Sequence, residues 1–277
     1  MICILGPTAS GKTGYAVRLA RELGGEILSA DSRQVYRGMD IGTGKDLDEY
    51  GDIPYHLIDI ADAGTKYNIY QYQKDFSEAY KDVAGRGKRP ILCGGSGLYI
   101  EAVTSGYHLP DVPANDVLRA ELDALPMEEL ISRYEKLRKP HNKTDYDTKQ
   151  RLIRALEIAV YENEHPVQYS SYLPQKTKFI GISVSREERN ARIDARLERR
   201  LESGMVDEVK GLLDSGIPAE NLIYYGLEYK YITLYLTGEM DYATMVERLR
   251  IAIHQFAKRQ MTWFRGMERR GIQIEWI

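Results

Sequence analysis

The sequence predicts an α/β fold in which helices cover both faces of a parallel sheet. Short apolar runs alternate with helical patterns along the chain, and a phosphate-binding motif stands between the first run and the first helix. A change of pattern in the middle of the chain adds an inserted helical subdomain. In a sheet of this kind ligands bind beyond the carboxyl ends of the strands.

The elements follow from local pattern. Strands are predicted where short apolar runs lie between polar or glycine-rich segments, at Ile2–Leu5, Glu26–Ser29, His56–Ile60, Pro90–Cys93, Lys178–Val184 and Ile272–Trp276. Helices are predicted where apolar residues recur at helical spacing, at Thr13–Leu23, Ile69–Arg86, Gly97–Thr104, Glu187–Ser203, Val206–Ser215, Leu227–Leu236 and Tyr242–Gly266.

A phosphate loop of the complete pattern GxxxxGK[ST] is formed by Gly6, Pro7, Thr8, Ala9, Ser10, Gly11, Lys12 and Thr13. It lies between a strand pattern and a helix pattern, the context that the motif requires. Backbone N–H groups of such a loop surround a phosphate, and the helix start adds positive potential. Lys12 can reach terminal phosphate oxygens, and the Thr13 hydroxyl can bind Mg²⁺. We therefore expect a P-loop NTPase-like fold that holds a phosphate or diphosphate.

In the middle of the chain the strand-like runs stop, and a charged helical segment with prolines at both ends takes their place. Such a change predicts an inserted subdomain. We expect a P-loop-like catalytic core at residues 1–107 and 175–277 and a helical insertion at residues 108–174. The helices of the insertion are predicted at Ala114–Leu125, Met127–Arg138 and Thr148–Glu162.

Composition is that of a soluble globular protein. The chain has 277 residues, of which 43% are hydrophobic, and a formal net charge of −3. It has no apolar run of about 20 residues that would span a membrane, and its first strand leaves no room for a signal peptide. Cys3 and Cys93 fall in predicted buried strands, as expected of core residues in a reducing compartment. We therefore expect a cytoplasmic monomer.

Charge is segregated along the chain. Residues 46–62 hold six acidic residues and no lysine or arginine, whereas residues 133–154 and 247–270 each carry a net charge of +5. The two basic runs indicate a local basic surface. The simpler alternative is that they are ordinary solvated helix faces.

Two further segments follow predicted strands and thus belong to the same sheet edge. Asp31 could act as a general base or hold Mg²⁺ through water, although a turn cap is the structural alternative. The segment Gly94–Gly97 lets the backbone approach a ligand closely. Its strand ends in Gly94 and lacks the Walker-B acid that ATP-hydrolysing P-loop proteins place there. This leaves a small-molecule kinase, or an enzyme that holds a diphosphate leaving group.

Several segments, in the same order, resemble the tRNA dimethylallyltransferases, also called tRNA isopentenyltransferases. These segments are Gly6–Thr13, Ser29–Gly38, Met39–Lys45, Gly94–Tyr99, Gln150–Glu157 and Ala257–Arg265. The resemblance implies transfer of a dimethylallyl group from dimethylallyl diphosphate to the exocyclic N6 amine of an adenosine adjacent to the tRNA anticodon. It implies that the phosphate loop and Mg²⁺ hold the diphosphate and that Asp31 takes the amine proton. The target base must leave its stack to enter the site.

The same resemblance implies contacts with the tRNA anticodon stem-loop. The residues concerned are Asp31, Ser32, Arg33, Gln34, Ser96, Arg119, Gln150, Arg151, Leu152, Ile153 and Arg154. Ser96 replaces the threonine of most members and keeps the hydroxyl group. The two basic runs become candidate phosphate contacts.

One position departs from the family. Members usually carry Arg-x-x-Gly-Tyr before a late helix, and alignment on Gly226 places Ile223 at the arginine and Leu227 at the tyrosine. The resemblance implies that this arginine grips the diphosphate, and loss of such a group typically costs about 3 kcal/mol in the barrier. Either another cation substitutes, or the chain is a divergent paralogue.

A group of tyrosines surrounds this departure, comprising Tyr224, Tyr225, Tyr229, Tyr231 and Tyr235. Such side chains can stack on bases, but they more often pack in a core. Three alternative functions stay open: prenyl transfer to a free adenine nucleotide, a shikimate-kinase-like P-loop kinase, and RNA binding without catalysis. The segments Gln150–Arg154 and Ala257–Arg265 favour the tRNA transferase over the kinase.

Overall fold

The structure is a computed structural model that describes residues 1–107, 109–138, 148–165 and 176–277. The chain divides into two compact units, one formed by residues 1–107 and 173–277 and the other by residues 108–172. Within the described ranges no helix combines the length and the apolar character needed to cross a membrane.

The elements of the first unit up to the insertion are β1 (Ile2–Leu5), α1 (Lys12–Leu23), β2 (Gly25–Ala30), β3 (Tyr36–Arg37), β4 (Tyr55–His56), β5 (Ala61–Asp62), α2 (Ile69–Gly85), β6 (Arg89–Gly94) and α3 (Gly97–Thr104). The second unit contributes α4 (Asp116–Asp123), α5 (Met127–Leu137) and α6 (Lys149–Glu164). The first unit resumes with β7 (Lys178–Gly181), α7 (Arg186–Glu202), α8 (Met205–Asp214), α9 (Ala219–Tyr224), α10 (Leu227–Leu236), α11 (Tyr242–Arg269) and β8 (Ile274–Trp276).

The main sheet has the order β4-β2-β6-β1-β7-β8, and every neighbouring pair is parallel. Strands β1, β2 and β6 are buried along almost their whole length, as expected of apolar strands covered by helices on both faces. Cys3 on β1 and Cys93 on β6 are buried and unpaired, which confirms their predicted place in the core. The α/β fold with a parallel sheet is likewise confirmed.

The register of the sheet positions the site. The last residues of four neighbouring strands lie in one row across the sheet: Ala30, Gly94, Leu5 and Gly181. Asp31, Gly95 and Gly6, which follow three of these strand ends, therefore leave the sheet side by side. The phosphate loop, the Asp31 turn and the glycine-rich turn thus share one edge of the sheet.

Three strand predictions do not match the bounds in the structure, and one of them, Ile272–Trp276, starts two residues before β8. The strand predicted at His56–Ile60 is wrong, because β4 ends at His56 and both Leu57 (φ 66°) and Asp59 (φ 56°) adopt left-handed backbone conformations. Leu57 is only 4% exposed, so this apolar run reflects a buried loop. The last predicted strand residues after Gly181 also lie outside β7. Helix α9 was not predicted.

A charged cluster holds the edge strand β4. Glu26 on β2 is 3% exposed and accepts hydrogen bonds from Arg86, at the end of α2, through both carboxylate oxygens. His56 on β4 contacts the same carboxylate at 2.7 Å. The Arg86 hydrogen bonds outweigh burial and, with His56, lower the pKa of Glu26 to about 2.

The second unit is built from α4, α5 and α6, which pack around one apolar cluster. Its buried members are Leu122, Leu130, Tyr134, Leu152, Ile153, Leu156 and Ala159. Asn115 caps α4 by accepting the Leu118 N–H at 3.0 Å, and Thr148 caps α6 by accepting the Arg151 N–H. The helices thus begin within two residues of their predicted starts.

Candidate active site

The phosphate loop joins β1 to α1 at the sheet edge. Helix α1 begins at Lys12, and its cap residue Gly11 has a left-handed backbone (φ 86°) and no capping side chain. Ala9 also lies in the left-handed region (φ 61°), a strained conformation for a non-glycine residue. The first N–H groups of a helix have no acceptor within the helix. An uncapped helix start in this setting is an anion-binding site.

Gln260 on α11 connects the phosphate loop with the glycine-rich turn. Its Oε1 accepts the Thr8 N–H at 2.8 Å, and its Nε2 donates to the Gly95 carbonyl at 2.9 Å. A Cβ atom on Gly95 would lie 2.4 Å from Nε2, so only glycine permits this contact. The amide of one buried side chain therefore sets the spacing of two loops at the site.

Three arginines on α7, spaced four residues apart, lie on one face of the helix beside these loops. Arg192 donates to the Ser10 carbonyl at 3.4 Å, and Arg196 donates to the Thr8 hydroxyl. Arg200 forms an ion pair with Asp46 at 3.1 Å. The sequence reasoning missed all three residues. The sequence signal for them is their four-residue spacing on α7, the helix that follows β7, and β7 is a neighbour of β1 in the sheet.

Lys12 is half-buried at the start of α1. Burial lowers its pKa, while nearby Cys93 and Asp31 act in the opposite direction. Asp31 follows the end of β2, which is in register with the ends of β6 and β1, so it lies on the same sheet edge as the loop. A half-buried cation of this kind gains stability when an anion binds beside it.

The Asp31 turn uses one carboxylate oxygen for its own structure. Asp31 Oδ1 accepts the Arg33 N–H at 2.9 Å, so the turn-cap role considered from the sequence is present. Within the described part of the chain, no hydrogen bond involves Oδ2. The Ser32 N–H donates to Ser96 Oγ at 3.0 Å, which connects this turn to the glycine-rich segment. The predicted residues Asp31, Ser32 and Ser96 are thus brought together.

The loop after this turn is held by side chains that the sequence reasoning did not identify. Glu208 on α8 accepts the N–H groups of Asp40, Ile41 and Gly42 at 2.8, 2.7 and 3.0 Å. Lys45 is 2% exposed and donates to Asp40 Oδ1 at 2.5 Å and to the Tyr36 carbonyl at 2.7 Å.

Gln34, a predicted tRNA contact, lies against this loop. Its Nε2 donates to the Gly44 carbonyl at 2.9 Å. A Cβ atom on Gly44 (φ 64°) would lie 1.7 Å from Arg200 Nη2. Through its bond to the Gly44 carbonyl, the Gln34 amide helps to hold the loop that contains Gly44.

The other predicted tRNA contacts lie in the second unit. Leu152 and Ile153 are 0% and 7% exposed in its core, whereas Gln150 and Arg151 are exposed. Arg119 donates to the buried carboxylate of Glu157 at 2.9 Å.

Arg154 also contacts Glu157, and it donates to the Val112 carbonyl at 2.9 Å. Burial alone would raise the pKa of Glu157, but hydrogen bonds from Arg119, the Asn115 backbone and Arg154 lower it. Side-chain contact with RNA therefore stays a prediction that suits Gln150 and Arg151 best.

The tyrosine group divides into packing residues and one exposed ring. Tyr225 and Tyr229 are each 1% exposed, whereas Tyr224 is 54% exposed. The Arg33 guanidinium lies 5.9 Å from the centre of the Tyr224 ring. Ile223, at the position of the family arginine, precedes Tyr224 on α9. The exposed ring therefore stands beside the Asp31 turn.

Comparison with known proteins agrees with this geometry. A family model described as "IPP transferase" matches residues 34–267, and one described as "Isopentenyl transferase" matches residues 1–50. The chain is 59% identical to tRNA dimethylallyltransferase 1 of Porphyromonas gingivalis, over 100% of this chain and 93% of the relative. It is 57% identical to tRNA dimethylallyltransferase 1 of Parabacteroides distasonis, over 100% and 92%.

The fold is also that of a solved relative. The crystal structure of the full-length tRNA isopentenylpyrophosphate transferase from Bacillus halodurans aligns with a TM-score of 0.73 and 34% identity, covering 100% of this chain and 88% of that one. The family model, the two relatives and the solved structure agree, and the chain therefore belongs to the IPP transferase family.

Proposed function

We propose that this chain transfers a dimethylallyl group from dimethylallyl diphosphate to the N6 amine of an adenosine adjacent to the tRNA anticodon. The observation that carries the proposal is the shared row of strand ends, which brings the phosphate loop and the Asp31 turn to one edge of the sheet. The phosphate loop provides an anion-binding site and the Asp31 turn provides a carboxylate, and this reaction needs both. Relatives at 59% and 57% identity bear the name of this activity.

On the donor side, the loop and Lys12 hold the diphosphate. The bond between the allylic carbon and the diphosphate oxygen breaks, and its electron pair stays on the diphosphate. The uncapped start of α1 and the Lys12 ammonium stabilise this negative charge. Charge stabilisation of this kind typically contributes about 3 kcal/mol per donor group.

On the acceptor side, the N6 nitrogen forms the new bond to carbon and loses a proton. Asp31 accepts this proton, while its other oxygen keeps the turn in place through the Arg33 N–H. An aryl amine is a weak nucleophile, so alignment of the nitrogen with the allylic carbon matters at least as much as proton removal. The rigid turn, joined to Ser96 through the Ser32 N–H, provides that alignment.

The donor set suits Mg²⁺ as a cofactor. Thr13 lies in the first turn of α1, directly after Lys12, with Asp31 nearby. Mg²⁺ keeps several waters and shares substrate phosphates, so one hydroxyl and one carboxylate acting through water are enough to hold it. When bound, it would add positive charge at the diphosphate.

The acceptor is proposed to be the anticodon stem-loop of tRNA. The target adenine enters the site after leaving its stack. Arg33 and Tyr224 beside Asp31 suit the nucleotides around the extruded base, and the exposed Gln150 and Arg151 of the second unit suit the RNA backbone.

The test is transfer of label from dimethylallyl diphosphate with Mg²⁺ to unmodified tRNA. We expect transfer by the native chain and its loss in Lys12→Ala, because the loop then lacks its cation. Lys210→Ala is the matched control, since Lys210 is exposed and pairs with Asp214 on α8. Label on AMP but not on tRNA would replace the proposal by prenyl transfer to a free nucleotide. Phosphate transfer from ATP to a small metabolite would replace it by the kinase.

A further inference from the structure

Arg196 is a half-buried cation beside the phosphate loop. Burial, followed by repulsion from Arg200, lowers the pKa of Arg196 to about 10. Within the described residues it forms no ion pair, and its one hydrogen bond runs to the Thr8 hydroxyl in the phosphate loop. A guanidinium has five N–H donors, so most of its donor capacity is unused.

Its neighbours on α7 differ in this respect. Arg192 pairs with Glu188 at 2.5 Å, and Arg200 pairs with Asp46 at 3.1 Å. Glu228, at the start of α10, acts on Arg196 electrostatically without an ion pair, and burial raises the pKa of that carboxyl group. Asp46 and Asp31 likewise act on Arg196 electrostatically without forming an ion pair with it among the described residues. Of these three arginines, Arg196 is the one that forms no ion pair with a carboxylate in the described part of the chain.

A desolvated charge without a partner is costly to fold. Where such a group lies in a binding site, the compensating charge commonly belongs to the ligand. Thr8 belongs to the phosphate loop, so an anion in the loop lies within reach of the same guanidinium. Arginine is also the residue whose planar fork best matches phosphate oxygens.

We propose that Arg196 binds the leaving diphosphate and supplies the positive charge that the family arginine would supply at the position of Ile223. The inference rests on the proposed function. It also answers the question raised by Ile223, because Arg196 is then the cation that replaces the family arginine. It reaches the diphosphate from α7, on the Thr8 side of the loop, whereas the replaced position lies on α9. As the allylic carbon–oxygen bond breaks, the guanidinium stabilises the electron pair left on the diphosphate.

The first test is binding of inorganic diphosphate with Mg²⁺ to the full chain, measured by calorimetry. Arg196→Gln keeps a donor for Thr8 but removes the charge. We expect diphosphate affinity to fall at least tenfold and the kcat of labelled transfer to fall about 100-fold. Arg199→Gln is the control, because Arg199 is exposed on the same helix. Its affinity and transfer should match those of the native chain.

Two further variants test whether the effect of Arg196→Gln comes from loss of folding or from a purely structural role of the Arg196 side chain. Arg196→Lys keeps the charge and should bind diphosphate better than Arg196→Gln. Thr8→Val removes the hydroxyl partner but not the charge, and should change diphosphate affinity less than Arg196→Gln does. Recovery of transfer in the double variant Arg196→Gln/Ile223→Arg would further support the substitution.

Diphosphate affinity and transfer that are unchanged in both Arg196→Gln and Arg196→Lys would overturn the inference. An equal loss in Thr8→Val and Arg196→Gln would overturn it too, because the guanidinium would then serve only to hold the loop. Arg196-dependent diphosphate binding in a chain that modifies no tRNA would support the inference and refute the proposed function.

Discussion

Asp31 combines a structural role, which its hydrogen bond shows, with the catalytic role proposed for it. One carboxylate oxygen accepts the Arg33 N–H and fixes the turn, and the other remains for a substrate. The two contributions can be separated because an asparagine keeps an oxygen for the turn but is not a base. The structural and catalytic readings of Asp31 are thus compatible.

Asp31→Asn should lower the kcat of labelled transfer by 100-fold or more, the usual effect of losing a general base. The KM for tRNA should change little, because the turn persists. Asp52→Asn, at a surface position with 76% side-chain exposure, is the control. An Asn variant within a few-fold of native kcat would show that the proton goes elsewhere.

Tyr224 offers an exposed ring beside Arg33, where the proposed acceptor would enter. Base–aromatic stacking is worth about 1–3 kcal/mol by alanine substitution. We expect Tyr224→Ala to raise the KM for tRNA roughly tenfold and Tyr224→Phe to leave it nearly unchanged, with the KM for dimethylallyl diphosphate constant in both. Steady-state kinetics with each substrate varied in turn would check this. Equal KM values for tRNA in the Ala and native chains would exclude stacking.

The residues that were predicted and those that were missed differ in how far their partners lie along the chain. Lys12, Thr13 and Asp31 belong to local motifs, and each motif implies its chemistry. Gln260 and Glu208 act on loops 252 and 166–168 residues away, so no local pattern indicates their role.

At the scale of elements, strand β4 is stabilised more by a cluster of charged side chains than by its own two residues. It comprises only Tyr55 and His56, and its pairing with β2 is supported by the buried cluster around Glu26. A two-residue strand has too few apolar contacts to be recognised from sequence. The apolar residues after it, Leu57 and Ile58, are buried in a loop, which is why the predicted strand ran too far.

Glu26→Gln should lower the free energy of unfolding at pH 7 by about 3–4 kcal/mol, since the pKa falls from 4.5 to about 2 and each pKa unit corresponds to about 1.4 kcal/mol. The folded pKa of about 2 lies below the ordinary value of 4.5. The stabilisation is therefore complete above about pH 4.5 and is lost as the pH falls toward 2.

Urea unfolding of both chains between pH 7 and pH 2.5 would measure this difference. Asp82→Asn is the control, because Asp82 also pairs with Arg86 but is 61% exposed. Its cost should stay below about 1 kcal/mol. A Glu26→Gln deficit that does not shrink on acidification would contradict the assignment.

At the scale of the whole molecule, the parallel sheet and the phosphate loop were predictable because every buried strand is an apolar run followed by a helix or a polar turn. The loss of strand patterns in the middle of the chain is what predicts a separate helical segment there. Charge is equally segregated: a net charge of −3 coexists with two runs of +5. Binding of RNA to such a chain depends on local basic surface rather than on net charge.

Binding of tRNA should therefore weaken steeply as salt concentration rises. If Arg151 contacts a phosphate, Arg151→Gln should reduce the slope of log K against log salt by about 0.7 to 0.9. Arg186→Gln, at an exposed position that begins α7, should leave the slope unchanged. Filter binding at several salt concentrations measures both slopes. Identical slopes for native and Arg151→Gln chains would remove Arg151 from the interface.

The amide of Gln260 has a consequence for how the site comes into being during translation. Thr8 is synthesised 252 residues before Gln260, which joins it to Gly95. Contacts between such distant residues form late in folding. A nascent chain that already exposes the complete phosphate motif therefore lacks the support that holds its two loops in register. We expect competence for diphosphate to arise only once α11 has left the ribosome, so that unfinished chains do not capture the prenyl donor.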